Sequence, residues 1–277
     1  KYIEIRGENG MKNIRFSQMQ VGDCRYLKTR MRENDVLNNS VVDMIFDSSE
    51  LHILPITCSE YEETIEVLLG NYITIDKVLK NNVKRDIMLT IMFNLIKEIS
   101  GLIRKGIKLE YLVLNKRYLY VNPQDLSIRF ICIPVDNVEH QVDFNIFLRG
   151  LLASARYSSN DNLEYVGVLL NCINEQDYSN TKLIAAIRAI AGEDVGKPVE
   201  YDLEKCAQDS AYSEDTAIGE VTQVNMFDGD IEEEELAKFF AARVDKEKSV
   251  PDLSIQVKEK INEEVDKVIG NNVVGSL

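Results

Sequence analysis

Residues 106–134, Gly106-Ile-Lys-Leu-Glu-Tyr-Leu-Val-Leu-Asn-Lys-Arg-Tyr-Leu-Tyr-Val-Asn-Pro-Gln-Asp-Leu-Ser-Ile-Arg-Phe-Ile-Cys-Ile-Pro134, decide the fold. Tyr118-Leu-Tyr-Val121 and Ile128-Arg-Phe-Ile131 are runs of β-branched and aromatic residues and predict two strands, joined by Asn122-Pro-Gln-Asp125 with its turn chemistry. Directly upstream, Val83 to Lys105 predicts the strongest helix of the chain, since Ile87, Ile91, Leu95, Ile99, Leu102 and Ile103 recur at three to four residues. Leu95, Ile99, Leu112, Leu119 and Phe130 are therefore expected to form one core joining helix to hairpin.

Helix, short loop and strand hairpin form the outline of a protein kinase catalytic segment, although any helix followed by a β-hairpin shares it. A kinase places an Asp just after the helix, an Asn five residues later and a metal-binding Asp after the second strand. In that register Val113 stands for the catalytic Asp, Tyr118 for the Asn and Cys132 for the metal-binding Asp, and only Glu110, Asn115 and Asp125 lie near as substitutes. No Asp or His remains at the three positions to hold magnesium or accept a proton. The turn Gly7-Glu-Asn-Gly10 lacks the glycine spacing of a phosphate loop, no strand carries Val-Ala-Ile-Lys, and the basic residues from Arg25 to Arg32 read as a solvated helix face.

Charge divides the chain. Residues 193–277 hold 22 Asp and Glu against 9 Lys and Arg, net −13, which leaves 24 against 23, net −1, of the totals 46 and 32 for residues 1–192. The expected organisation is an interaction domain over 1–192 and an acidic, partly disordered linker or tail over 193–277. The acidic balance argues against nucleic acid or an anionic membrane as partner. Cys24, Cys58, Cys132, Cys172 and Cys206 are odd in number and widely spaced, which suggests free thiols in a reducing cytosol, and with His52 and His140 far apart a zinc site or His-based triad is not expected. The longest apolar stretch, Ile87 to Ile103, is interrupted by Asn94, Lys97 and Glu98 and is too polar to span a bilayer. The chain begins at Lys1 without a signal peptide and reads as a trimmed piece.

The remaining elements follow from local pattern. Tyr2–Arg6 and Asn13–Gln18 predict a hairpin through Gly7–Gly10; Asp23–Glu33 predicts a helix capped by Asp23; Val41–Phe46 and Leu51–Ile56 predict a strand pair across Asp47–Glu50. A short helix near Thr74–Lys80 precedes the long one, and helices near Val142–Ala155, Asn162–Ile173 and Asn180–Ala191, the last capped by Gly192, close the domain. The expected fold is α+β: a small degenerate kinase-like, or pseudokinase, fold with a β-rich N-lobe and a helical C-lobe.

Tyr26-Leu-Lys-Thr-Arg-Met-Arg-Glu-Asn34, Leu54-Pro-Ile56, Ile75 to Leu79, Leu112-Val-Leu114, Tyr118-Leu-Tyr-Val121 and Phe130-Ile-Cys-Ile-Pro134 together resemble an uncharacterised N-terminal domain found ahead of forkhead-associated (FHA) domains in clostridial and other Gram-positive proteins. The resemblance covers about residues 1–191 and rests on hydrophobic patterns. A weaker similarity is to the cytosolic pseudokinase domain of the type VII secretion proteins EssB and YukC, a family that implies a membrane span soon after the domain; none is present by Leu277.

In the tail, Gly219-Glu-Val-Thr-Gln-Val224 with Asp228 and Asp230 resembles the Thr-bearing acidic segments that dock on FHA domains once phosphorylated, which makes Thr222 a candidate phosphosite. A solvated linker with a few Thr and Asp reads the same way. Most of 193–230 is expected to lack a fixed fold, while 231–244 and 253–269 have helical periodicity and could pack on the domain, pair with a partner helix or form only weakly. The expected function is a noncatalytic interaction or scaffold module of a bacterial signalling protein preceding an FHA domain. It needs no cofactor, takes a protein partner, an FHA domain of the same or another chain being a candidate, and lies in the cytoplasm or at the inner face of the membrane. The alternatives are a subunit of a type VII secretion or envelope assembly and an atypical nucleotide-binding kinase.

Overall fold

Gly22 and Asp23 form a two-residue turn, with Gly22 at φ +59°, between strand β1 (Asn13–Val21) and strand β2 (Cys24–Arg30). The computed structural model describes residues 13–48, 50–59, 61–136, 143–192, 195–196 and 221–225. The expected helix over Asp23–Glu33 is thus corrected to a strand: Leu27 and Thr29 are buried at alternate positions, the period of a half-buried strand, and Gly-X is two-residue hairpin chemistry. The converse correction falls on Val41–Phe46, expected as a strand, which lies in helix α1 (Asn39–Asp47). The Asn38 side chain accepts from the Val41 amide at 3.2 Å and caps the helix, overriding the β preference of its Val and Ile residues.

After α1, Leu51–Ile56 is no strand partner of that segment. Ile53 bridges Phe130, and the strand proper, β4 (Ile56–Ser59), pairs with β5 (Thr64–Leu68). The first sheet runs β10-β1-β2-β5-β4, all neighbours antiparallel, where β10 is Val221–Asn225. Short β3 (Val36–Leu37) pairs with β9 (Val135–Asp136), and β6 (Ile73–Thr74), β7 (Tyr120–Val121) and β8 (Ile128–Arg129) form a third small sheet.

Helix α2 (Ile75–Leu79), capped by Thr74, leads to the long α3 (Arg85–Arg104). Helix α3 ends in a Schellman arrangement: Gly106 at φ +89° donates to the Ile103 carbonyl, and Ile107 donates to that of Leu102, both at 3.0 Å. Helices α4 (Phe144–Ser154), α5 (Glu164–Asn174) and α6 (Asn180–Ala191) complete the described helical part, with Gly192 at φ +84° closing α6 as expected. The sheet-rich first part and helical second part make an α+β protein. The segments 1–12, with the expected strand Tyr2–Arg6, and 231–277, with the two amphipathic stretches, lie outside the described residues.

Buried apolar side chains fall into two clusters. One joins α2 to α6 with Leu95, Ile99, Leu112, Leu119 and Phe130, the five residues expected to share a core. The other covers one face of the first sheet with Ile14, Phe16, Leu27, Ile56, Ile65 and Val67. Each such side chain contributes about 1.5–3 kcal/mol on burial.

Candidate functional site

The segment 111–133 separates the two clusters and belongs to both. Its two arms pair with each other: Val113 donates to the Ile131 carbonyl at 3.0 Å, Ile133 to that of Tyr111 at 2.7 Å, and Leu112 bridges Cys132. Successive strand residues point to opposite faces. Accordingly Leu112, Leu114, Leu119, Val121, Phe130 and Cys132 enter the helical cluster, whereas Val113, Tyr120, Ile131 and Ile133 enter the sheet cluster. The hairpin is an interior layer, with apolar side chains on both faces.

The three positions aligned with kinase chemistry sit inside that layer. Val113 and Cys132 are fully buried on opposite faces, and burial pushes the Cys132 thiol far above its usual range, so it is a packing group and no thiolate. Tyr118 is half-buried and stacks on Phe16 with ring centroids 5.1 Å apart. Of the nearby substitutes, Asn115 is buried and its Oδ1 accepts from the Arg117 amide at 3.0 Å, while Asp125 Oδ1 accepts from the Ser127 amide at 2.9 Å. Both side chains are engaged in turns. Glu110 lies in the 3-10 turn Leu109–Tyr111.

At the hairpin turn Leu126 adopts φ +54° with its side chain fully buried. Buried Asn94 on α3 donates Nδ2 to the Leu126 carbonyl at 2.9 Å and holds this otherwise unfavourable conformation.

A polar cluster that the sequence reading missed lies where the layer ends. Asn38 Nδ2 donates to Tyr111 Oη at 3.2 Å and to Asp136 Oδ2 at 3.1 Å; the Tyr111 hydroxyl donates to Asp136 Oδ1; Lys108 Nζ stands 3.4 Å from the same oxygen. The Tyr111 hydrogen bond, then Lys108, holds the Asp136 carboxyl below the ordinary range, and burial followed by Asp136 raises Tyr111. Because Asn38 also caps α1, the cluster ties α1 to β9 and the 3-10 turn. The only local signal was Asn38 ahead of an apolar run; its partners are 73 and 98 residues away.

A second missed group gathers His52, Glu98 and Arg129. His52 Nδ1 lies 3.2 Å from Glu98 Oε2, off the hydrogen-bond direction, and Arg129 donates to the Leu51 carbonyl at 3.1 Å and lies over the Tyr72 ring. Burial, with the charges of Arg129 and Lys97, holds the imidazole below its ordinary range against the pull of Glu98. No nucleophile accompanies the pair in these contacts, and the group fastens α3 to the hairpin. Among the described residues, no three His, Cys, Asp or Glu side chains come together as a metal site.

Thr222 is placed differently from the expectation of an unfolded linker. It lies in β10, paired with Phe16 of β1, so that at least residues 221–225 of the tail are part of the first sheet. No helix of the described residues is long and apolar enough to cross a membrane. Compared with known proteins, the chain matches no family model and no curated protein.

Proposed function

We propose that the chain is a noncatalytic protein-interaction module of a bacterial signalling protein, built on a degenerate kinase-like fold and standing ahead of an FHA domain. The two-sided packing of residues 111–133 carries this reading. Where a kinase exposes a catalytic and a metal-binding carboxylate to a cleft, Val113 and Cys132 fill two hydrophobic cores, and the neighbouring Asn115 and Asp125 are spent on turn geometry. The polar groups around the layer, Asn38–Tyr111–Asp136 and Asn94–Leu126, fasten elements together.

The partner is a protein and the setting the cytoplasm. A phosphate on Thr222 is recognised by the FHA domain of the same or another chain, and β10 must leave β1 to present it. A phosphopeptide spanning Ile218 to Asp230 should therefore bind that FHA domain far more tightly than the unmodified peptide; equal affinities remove the phosphosite from the account. For the absence of catalysis, thermal shift with magnesium ATP is the test. A ligand at a hundred times its Kd contributes about 2.7 kcal/mol, a rise in Tm of roughly 5–10 °C for a protein of this size. No saturable rise is expected, and one of that size would favour the atypical kinase reading.

A further inference from the structure

The N-terminal half of β1 is held in its sheet from one side. The β1–β2 ladder covers Ser17 to Val21, and the β1–β10 ladder covers Asn13 to Ser17, so Asn13–Phe16 has β10 as its strand neighbour among the described residues. This half carries Ile14 and Phe16, both buried in the sheet cluster, and Phe16 stacks on Tyr118 of the interior layer. Among the described residues, strand β10 pairs with β1 alone, and residues 197–220 separate it in sequence from the described residues before it. Its sequence, Val221-Thr-Gln-Val-Asn225, sets Val224 opposite Ile14, Gln223 opposite Arg15 and Thr222 opposite Phe16.

An open strand edge is a template for any extended segment of suitable pattern, because backbone amides supply affinity and alternate positions supply selectivity. A cis strand on a connection of this length competes with an effective concentration of millimolar order at most. We propose that the β1 edge over Asn13–Ser17 is a strand-accepting surface, with β10 as its occupant in cis. In trans it takes an extended segment of a partner protein, β-branched opposite Ile14 and Phe16 and polar opposite Arg15. The proposal supplies the surface for the interaction reading above and rests on it.

The probe is a labelled peptide of this chain's own residues 218–228, titrated against the full chain and two variants, Thr222→Pro and Gln223→Pro. Neighbouring N–H groups of a strand point to opposite edges, so one proline removes a ladder donor and the other a donor on the open side. A site occupied in cis binds a competitor in proportion to its free fraction. The variant that loses the ladder donor should therefore bind the peptide at least about tenfold more tightly than the parent. Hydrogen exchange protection of the Asn13–Ser17 amides, lost in that variant, should return on binding, while α3 amides stay protected throughout.

A third variant, Arg15→Cys with Gln223→Cys at directly paired positions, closes the edge on oxidation; binding should appear only after reduction, whatever the proline variants do. Equal affinity for parent and all variants, binding that leaves Asn13–Ser17 exchange unchanged, or no binding to the released edge overturns the proposal. Concentration-dependent dimerisation of the parent at micromolar protein overturns it too, in favour of strand exchange between copies. Magnesium ATP added to the same samples separates the two ideas: stabilisation by nucleotide with peptide binding intact removes the noncatalytic reading and leaves the edge, and the reverse leaves the reading and removes the edge.

Discussion

Adjacent residues of the hairpin offer a sharp test of the interior layer. Phe130 and Ile131 are both fully buried, yet Phe130 enters the helical cluster and Ile131 the sheet cluster. In a hairpin lying on the surface, one of two neighbours faces water and its truncation changes stability by no more than about 0.5 kcal/mol. In a layer buried on both faces, each truncation removes transfer free energy and leaves a cavity: Phe130→Ala should lose about 3–5 kcal/mol and Ile131→Ala about 2–5 kcal/mol. With a urea m-value of about 2 kcal/mol/M, a loss of 3 kcal/mol moves the unfolding midpoint down by about 1.5 M. Equilibrium urea melts followed by far-UV circular dichroism measure both, and unchanged m-values show that the same cooperative unit unfolds. If Ile131→Ala stays within about 0.5 kcal/mol of the parent, one face of the hairpin is open and the two-sided packing is wrong.

Other perturbations address the polar groups around that layer. Asn94→Ala strands the buried Leu126 carbonyl in a strained turn and should lower stability by about 1–3 kcal/mol in the same melts; a neutral result would mean that the turn holds itself. The depressed Asp136 carboxyl binds protons less readily folded than unfolded, so its stabilisation is full above about pH 4 and disappears as pH falls through the folded value. Asp136→Asn should flatten stability against pH in that acid window, and superimposable curves would remove the carboxylate from the clamp. His52, also depressed, adds stability that is full above about pH 6.5 and lost on acidification below it. Melts of His52→Gln between pH 5 and 7.5 should show a shallower slope than the parent, and an equal slope would rule out the imidazole as its source.

Much of the second part of the chain was legible because its signals are local. The repeat from Ile87 to Ile103, the Gly192 cap and the Asn122–Asp125 turn each specify one conformation from a few neighbouring residues, and α2 to α6 and the hairpin lie where expected. The first part misled for the same reason. Val41-Val-Asp-Met-Ile-Phe46 has strand composition but helical spacing of Val41, Val42 and Ile45 behind the Asn38 cap, and the charged residues of β2 concealed an alternation made visible only by the Gly22-Asp23 turn. Pairings across long sequence separations left no local trace: Asn38 with Asp136, and Thr222 with Phe16. The apolar runs along 111–133 were visible, but that both faces are buried depends on packing from the sheet and the helices together.

Native-state hydrogen exchange across residues 111–133 tests the central claim most directly, because binding and catalytic segments open locally at low free energy whereas core layers open only with the whole fold. The amides of Val113 and Ile133, which close the two arms on each other, and of Phe130, bonded to the His52 carbonyl at 3.0 Å, should exchange with the free energy of global unfolding obtained from urea melts, with and without magnesium ATP. Exchange of these amides several kcal/mol more easily than global unfolding, or protection that rises on adding the nucleotide, would show that the segment is a working site and contradict its role as the shared core.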